Sequence, residues 1–177
     1  APGTVIISAA GNCNDITKVV EPVLQKNKGS IYYINLSQDT FKLAGSSFAQ
    51  TLNKIGNDVP TIKDASFFKK AFNTIQDLIK DNQIAAGHDI GSGGLITTLL
   101  EMCFADENLG AYISFDSFSE KDLVKILFSE NIGLVLQAND DATFEKALND
   151  IEYFKLGTTI EGNSLNISQN GQQTTLN

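Results

Sequence analysis

The sequence predicts an α/β (α+β) domain with layered architecture. Apolar runs rich in β-branched residues alternate with segments whose apolar residues recur at helical spacing. This alternation is typical of domains in which helices cover a sheet. A chain of 177 residues is also the usual length for one hydrophobic core. The chain opens in a strand-like segment and closes in a polar tail, so we expect residues 1–177 to be a single domain cut from a longer chain.

Strands and helices are predicted from the period of the apolar residues. Strands are expected at residues 4–9, 31–36, 84–88, 111–115, 133–138, 153–160 and 164–168. Helices are expected at residues 14–25, 46–55, 65–82, 94–104, 119–128 and 141–149. The N-caps that we expect are Ser46, Asp64 and either Asp140 or Asp141, because short polar side chains accept hydrogen bonds from a helix start.

Composition argues against several classes of partner. The formal net charge is −8 and no run of Lys or Arg occurs, whereas nucleic-acid binding needs clustered cations. No apolar stretch approaches the roughly 18 residues of a membrane span, and no basic-then-apolar leader opens the chain. Cys13 and Cys103 match no metal-binding spacing. We therefore expect no nucleic-acid or membrane partner, two reduced cysteines and a cytoplasmic location.

A glycine-rich turn is the first candidate site. Residues 87–95 (GHDIGSGGL) lie between an apolar strand and a predicted helix. Glycines let backbone approach a ligand closely, and free N–H groups at a helix start attract phosphate. Asp89 offers a carboxylate oxygen of the kind that Mg²⁺ prefers. The structural alternative is equally concrete: Ser92 caps the helix and the glycines only permit a tight turn.

Two further segments are weaker candidates. Residues 43–50 (LAGSSFAQ) form a small-residue turn before a helix, and Glu130 falls where a helix meets a buried strand. Spacing alone favours a capped helix start for the first and a solvated loop carboxylate for Glu130. His88 is the sole histidine, and we expect a structural role for it. No Ser/His/Asp or Cys/His set can be assembled, so no catalytic residue is predicted.

These same segments resemble the phosphoribosylformylglycinamidine synthase family. Residues 88–105 (HDIGSGGLITTLLEMCFA) are similar to its His-Asp-x-Ser-Asp-Gly-Gly-Leu…Glu-Met-x-Phe-Ala signature. Residues 72–78 (FNTIQDL) and 127–137 (LFSENIGLVLQ) resemble its Phe-x-x-Ile-Gln-x-Leu and Leu-Phe-x-Glu-Glu-Leu-Gly-x-Val-x-Gln stretches. Residues 33–36 and 43–50 fit as well. The resemblance spans nearly the whole chain and points to the C-terminal domain of the second AIR-synthase-like repeat.

The resemblance implies a three-layer fold with partial ferredoxin-like topology and a structural nucleotide site. Asp89 occupies the position of the family's Mg²⁺ ligand. Gly91 stands at the position of the family's nucleotide-contacting Ser, and Ser92 stands at the position of the Asp that follows it. Both positions therefore depart from the family pattern. The implied cofactors are Mg²⁺ and ATP or ADP. The other ligands would come from a neighbouring nucleotide-binding domain, and a glutaminase domain would follow.

The implied function is that of a domain in an ATP- and glutamine-dependent ligase of purine biosynthesis. The intact enzyme would convert formylglycinamide ribonucleotide to formylglycinamidine ribonucleotide, and the isolated fragment is expected to be inactive. The alternatives are a scaffold domain of that enzyme that binds no nucleotide, favoured by Gly91 and Ser92, or a domain of a related enzyme such as aminoimidazole ribonucleotide synthetase.

Overall fold

A computed structural model describes residues 6–13 and 15–177, and a seven-stranded sheet is its central feature. The strands are β1 (Ile31–Asn35), β2 (Ile84–Asp89), β3 (Leu109–Ser114), β4 (Gly133–Ala138), β5 (Phe154–Glu161), β6 (Leu165–Gln169) and β7 (Gln172–Leu176). The helices are α1 (Ser47–Thr51), α2 (Ala65–Lys80), α3 (Gly94–Cys103), α4 (Leu123–Phe128) and α5 (Asp141–Ala147), preceded by a 3-10 turn at Ile16–Lys18.

The strand order is β2-β4-β1-β5-β3-β6-β7. β1 and β2 are both antiparallel to β4, so they run parallel to each other with β4 between them. β4 and β5 are both antiparallel to β1 and are likewise parallel to each other. Helix α2 joins the first parallel pair and α5 joins the second. Two interlocked units of this kind are the ferredoxin-like arrangement, here interrupted by α3, β3 and α4 and extended by β6 and β7.

Both faces of the sheet are covered, which gives three layers. Successive side chains of a strand point to opposite faces. In β1, Ile31 and Tyr33 pack with residues of α3 and α4, whereas Tyr32 and Ile34 pack with residues of α2 and α5. All four side chains are buried. The predicted three-layer α/β fold is therefore confirmed.

Three of the predicted helix caps are confirmed. The side chain of Ser46 accepts a hydrogen bond from the amide of Ala49, and Asp64 accepts from two amides at the start of α2. Asp140, rather than Asp141, caps α5. No helix among residues 6–13 and 15–177 is long and apolar enough to cross a membrane.

The prediction of the N-terminal elements was wrong where the structure describes them. The predicted strand 4–9 lies partly outside the described residues, and residues 6–9 form no strand. In place of a helix over 14–25, of which residue 14 is outside the described part, only the turn Ile16–Lys18 is helical. Pro22 lacks the N–H that a continuing helix needs. Asp15 caps this short turn, and Val19 is already extended.

Other boundaries also differ from prediction. Helix 46–55 ends at Thr51 because the chain turns back through Asn53, which has a φ of 55°. Helix 119–128 starts at Leu123, where Asp122 provides the N-cap. The polar C-terminal tail forms β7, which pairs antiparallel with β6.

Asp141 links α5 to β1 and β5. Its carboxylate accepts hydrogen bonds from the amide and the hydroxyl of Ser30, both at 2.7 Å, and lies 2.8 Å from Lys155 Nζ. Burial acts to raise the pKa of Asp141, but the hydrogen bonds from Lys155 and Ser30 outweigh it and hold the pKa at about 2. The ionised carboxylate therefore stabilises the fold.

Replacing Asp141 with Asn is expected to lower the free energy of unfolding by about 1–2 kcal/mol near neutral pH, since charge-assisted hydrogen bonds are lost. A carboxyl with a lowered folded-state pKa stabilises the fold above its ordinary value of 3.8, and this contribution disappears as the pH falls towards about 2. The difference between wild type and variant should thus shrink across that window. Urea denaturation at several pH values measures it.

Asp150→Asn is the matched control, because Asp150 forms an exposed ion pair with Lys70. Its loss should change the free energy of unfolding by less than about 0.5 kcal/mol. Equal losses in the two variants would contradict the assigned role of Asp141.

Candidate functional site

The three candidate segments of the sequence meet at one place in the fold. The turn after β2 leads into α3, the segment 43–50 leads into α1, and Glu130 lies in the connection from α4 to β4. One carboxylate oxygen of Glu130 accepts hydrogen bonds from the amide of Gly93 and from the amide of Ser47, each at 2.8 Å. The candidate site is therefore a junction of two turns held by a single side chain.

Asp89 is the last residue of β2, and its backbone is fixed while its side chain is largely exposed. The strand pairs it with Leu134 of β4, and its carbonyl accepts a hydrogen bond from the buried hydroxyl of Thr98 at 3.1 Å. The side chain is 80% exposed. A carboxylate presented in this way from a rigid strand end is well placed to bind a cation from solvent.

His88 lies beside Asp89 and links it to α3. Its Nδ1 is 2.8 Å from the carbonyl oxygen of Asp89 and 3.4 Å from a carboxylate oxygen of the same residue. Its Nε2 is 3.2 Å from a carboxylate oxygen of Glu101. Both ring nitrogens thus face acceptors, and the ring bridges β2 and α3. This arrangement agrees with the structural role expected for His88.

Ser92 does not cap α3, so the structural alternative for this residue was wrong. The N-cap is Gly93, which has a φ of 92° and no side chain to accept a hydrogen bond. Ser92 and Gly91 lie exposed at the tip of the turn. The turn closes through a backbone hydrogen bond from Gly94 to Gly91 at 3.2 Å. Glu130 supplies the acceptor that a capping side chain would otherwise provide.

Glu130 was expected to be a solvated loop carboxylate, and this prediction was wrong. The residue is half-buried and its carboxylate is engaged by two amides. The next residue, Asn131, is buried and donates hydrogen bonds to Ser37 Oγ and to the carbonyl of Thr40. The connection from α4 to β4 therefore holds the irregular segment 37–46 and the start of α1 through two adjacent side chains.

The charges around the junction favour a cation over an anion. Asp89, Glu101 and Glu130 are acidic, and no ion pair with a lysine is formed by any of the three in the described part of the chain. Within residues 6–13 and 15–177, no group of three or more metal-ligating side chains comes together. Asp89 fits Mg²⁺ as one oxygen ligand, and a complete coordination shell needs ligands from elsewhere.

The fold and the residues of the junction define a known class of domain. The family model described as AIR synthase related protein, C-terminal domain, matches residues 31–169. The match runs from the start of β1 to the end of β6 and includes Asp89, the glycine-rich turn and Glu130. The chain belongs to the family of AIR synthase related C-terminal domains.

The curated relatives of the chain are named for one enzyme of this class. The chain is 40% identical over 168 residues to the probable phosphoribosylformylglycinamidine synthase, chloroplastic/mitochondrial, of Arabidopsis thaliana, covering 92% of this chain and 12% of the relative. It is 37% identical over 142 residues to the phosphoribosylformylglycinamidine synthase of Homo sapiens, covering 79% of this chain and 10% of the relative. The resemblance read from the motifs is thereby confirmed. The chain spans only about a tenth of the length of these relatives.

Solved structures with the same fold include Thermotoga maritima PurL complexed with ATP, with a TM-score of 0.64 and 14% identity over 91% of this chain and 27% of that one. PurL complexed with FGAR gives a TM-score of 0.67 and 15% identity, covering 91% of this chain and 29% of that one. The hydrogenase maturation protein HypE in complex with ATP gives a TM-score of 0.61 and 13% identity, covering 92% of this chain and 54% of that one. At these identities the likeness establishes the fold.

Proposed function

We propose that this chain is one domain of a phosphoribosylformylglycinamidine synthase and helps to form a Mg²⁺–nucleotide site through Asp89. The observation that carries the proposal is the exposed carboxylate of Asp89, presented to solvent from a fixed strand end beside the glycine-rich turn. The curated relatives are named for this enzyme. The PurL structures that share the fold were solved with ATP and with ADP.

In this function the intact ligase converts formylglycinamide ribonucleotide, ATP and glutamine-derived ammonia into formylglycinamidine ribonucleotide, ADP and phosphate. Asp89 would hold Mg²⁺, and the bound ion would neutralise the charge of the nucleotide phosphates. The other residues of this chain hold Asp89 in place. Thr98 fixes the backbone of Asp89, and His88 connects the same strand end to α3. No residue of this chain is assigned a catalytic role.

We further propose that residues 1–177 act as a single domain of a longer chain, in the C-terminal half of a second AIR-synthase-like repeat. Its partners would be a neighbouring nucleotide-binding domain, which supplies the other Mg²⁺ ligands, a glutaminase domain and the small-molecule substrates. A fragment that holds one ligand of a shared site is expected to have no ligase activity alone. A cytoplasmic location stays a prediction, and the Arabidopsis relative is named chloroplastic/mitochondrial.

Asp89→Asn in the full-length protein is expected to weaken Mg²⁺-dependent nucleotide binding by at least about tenfold, because a neutral amide replaces a charged ligand of a hard cation. Calorimetry with Mg²⁺-ADP measures the affinity, and nucleotide content after purification measures occupancy. Asp116→Asn is a matched control, since Asp116 is exposed and lies in the connection from β3 to α4. Unchanged affinity and occupancy in Asp89→Asn would refute the assignment.

The second candidate function is a scaffold domain that binds no nucleotide. Gly91 and Ser92 favour it because they lack the hydroxyl and the carboxylate of the family motif. The contact between Glu130 and the Gly93 amide favours it further, because that amide has a partner already. If wild-type protein binds no Mg²⁺-nucleotide beyond a single site elsewhere in the molecule, the scaffold function is the correct one.

A further inference from the structure

Two of the amides at the start of α3, those of Gly93 and Gly94, already have acceptors. The N–H of Gly93 donates to Glu130 at 2.8 Å, and the N–H of Gly94 donates to the carbonyl of Gly91 at 3.2 Å. A free helix N-terminus offers such amides and a positive partial charge to phosphate. Here the carboxylate of Glu130 is itself the anion bound at this position, and it comes from the same chain.

The second donor makes this occupancy specific. The same oxygen of Glu130 accepts the amide of Ser47 at 2.8 Å, so two segments 46 residues apart in the sequence converge on one anionic atom. An oxygen held by two amides in a half-buried position resists displacement. A phosphate approaching the turn would have to replace this carboxylate and would also meet the negative charge of Asp89 nearby in the sequence.

We propose that Glu130 determines the specificity of this site by excluding free phosphate from the amides of Gly93 and Ser47. Under this proposal, which rests on the proposed Mg²⁺–nucleotide function, the domain contacts a nucleotide only through the cation at Asp89. Metal-free phosphate or metal-free nucleotide does not bind at these two amides. Gly91 and Ser92 lack the hydroxyl and the carboxylate that the family motif has at these positions. This agrees with the proposal, because a contact made through the metal alone needs neither group.

The test is a titration of inorganic phosphate into the ¹⁵N-labelled chain without divalent cations, following the amide signals of Gly93 and Ser47 by NMR. In wild type, neither signal should shift in a saturable way. In Glu130→Ala both amides lose their acceptor, and both should shift and saturate with an affinity at least about tenfold higher than in wild type. Glu107→Ala is the control. It changes the net charge of the chain as much as Glu130→Ala does, but Glu107 is an exposed residue away from the turn in sequence, so this variant should behave like wild type.

Glu130→Gln keeps the shape of the side chain and a neutral acceptor, and it decides the result if the Ala variant does not fold. Loss of the charge alone should raise phosphate affinity at these amides by at least about threefold. Saturable phosphate shifts in wild type equal to those of the variants would overturn the proposal. The absence of any gain in a folded Glu130 variant would overturn it equally.

The cation half of the site is read separately on the full-length protein, which supplies the remaining ligands. Mg²⁺-ADP should bind at least about tenfold more weakly in Asp89→Asn than in wild type. If the two affinities are equal, the proposed Mg²⁺ function fails, while the phosphate response of the Glu130 variants still reports on the exclusion. The two failures are therefore distinguishable.

Discussion

Gly94→Ala is expected to lower the free energy of unfolding by about 3 kcal/mol or more, because the new methyl group meets backbone that cannot move aside. Gly94 has a φ of 77°, a conformation that side chains rarely adopt. A Cβ at this position would lie 2.7 Å from the carbonyl oxygens of both Leu127 and Ser129. The start of α3 therefore packs directly against the last turn of α4.

The same close approach positions the candidate site. Ser129 precedes Glu130, so pushing the end of α4 away from α3 would also pull the Glu130 carboxylate from the amide of Gly93. Urea denaturation measures the loss of stability, and the amide signal of Gly93 reports the loss of the hydrogen bond. We expect both changes together in Gly94→Ala.

Gly91→Ala is the control from the same turn. Gly91 is exposed, and a Cβ there would meet no heavy atom within 4 Å. Its replacement should change the free energy of unfolding by less than about 0.5 kcal/mol. If the two alanine variants are equally stable, the packing of α3 on α4 is not what requires Gly94.

Elements with a strong local signal could be predicted from the sequence. Helix α2 was predicted over 65–82 and observed at Ala65–Lys80, because its apolar residues recur on one face and Asp64 caps it. The buried strands β1 and β4 were predicted within a residue or two of their observed ends. These signals are local, so they predict the element without knowledge of its tertiary contacts.

Strand β7 carried a local signal that the prediction did not use. Asn170 and Gly171 have φ values of 50° and 80°, the conformation of a tight hairpin turn. An Asn-Gly pair after an apolar strand is itself a hairpin signal, but residues 171–177 are polar, and polarity alone predicts a tail. β7 is an edge strand whose residues are mostly exposed, so no alternating apolar pattern marks it.

The candidate site could be predicted only in part. The strand end, the glycine-rich turn and the helix start around Asp89 are consecutive in the sequence and were predicted together. The role of Glu130 was not predictable from spacing, because its two donors lie 37 and 83 residues away and are backbone amides. No side-chain type in the sequence marks a backbone donor, so this contact depends on the tertiary fold.

Phe118→Ala is expected to lower the free energy of unfolding by about 4 kcal/mol, as is usual for truncation of a fully buried aromatic side chain. Phe118 is 1% exposed. Its ring lies 4.2 Å from that of Phe154 and 5.2 Å from that of Phe115, measured between centroids. Tyr33 and Phe41 stack on it at 6.0 and 5.7 Å. Truncation leaves a cavity that these four rings, held on separate segments, cannot close together.

Phe104→Ala is the matched control, since Phe104 is 71% exposed and the same truncation should cost less than about 0.5 kcal/mol. Urea denaturation of both variants measures the difference, and a loss below about 1.5 kcal/mol in Phe118→Ala would show that the cluster repacks. Phe118 lies outside every helix and strand, in the connection from β3 to α4. Its ring connects this loop to β1 and β5 through the rings of Tyr33 and Phe154. A loop residue is therefore part of the hydrophobic core.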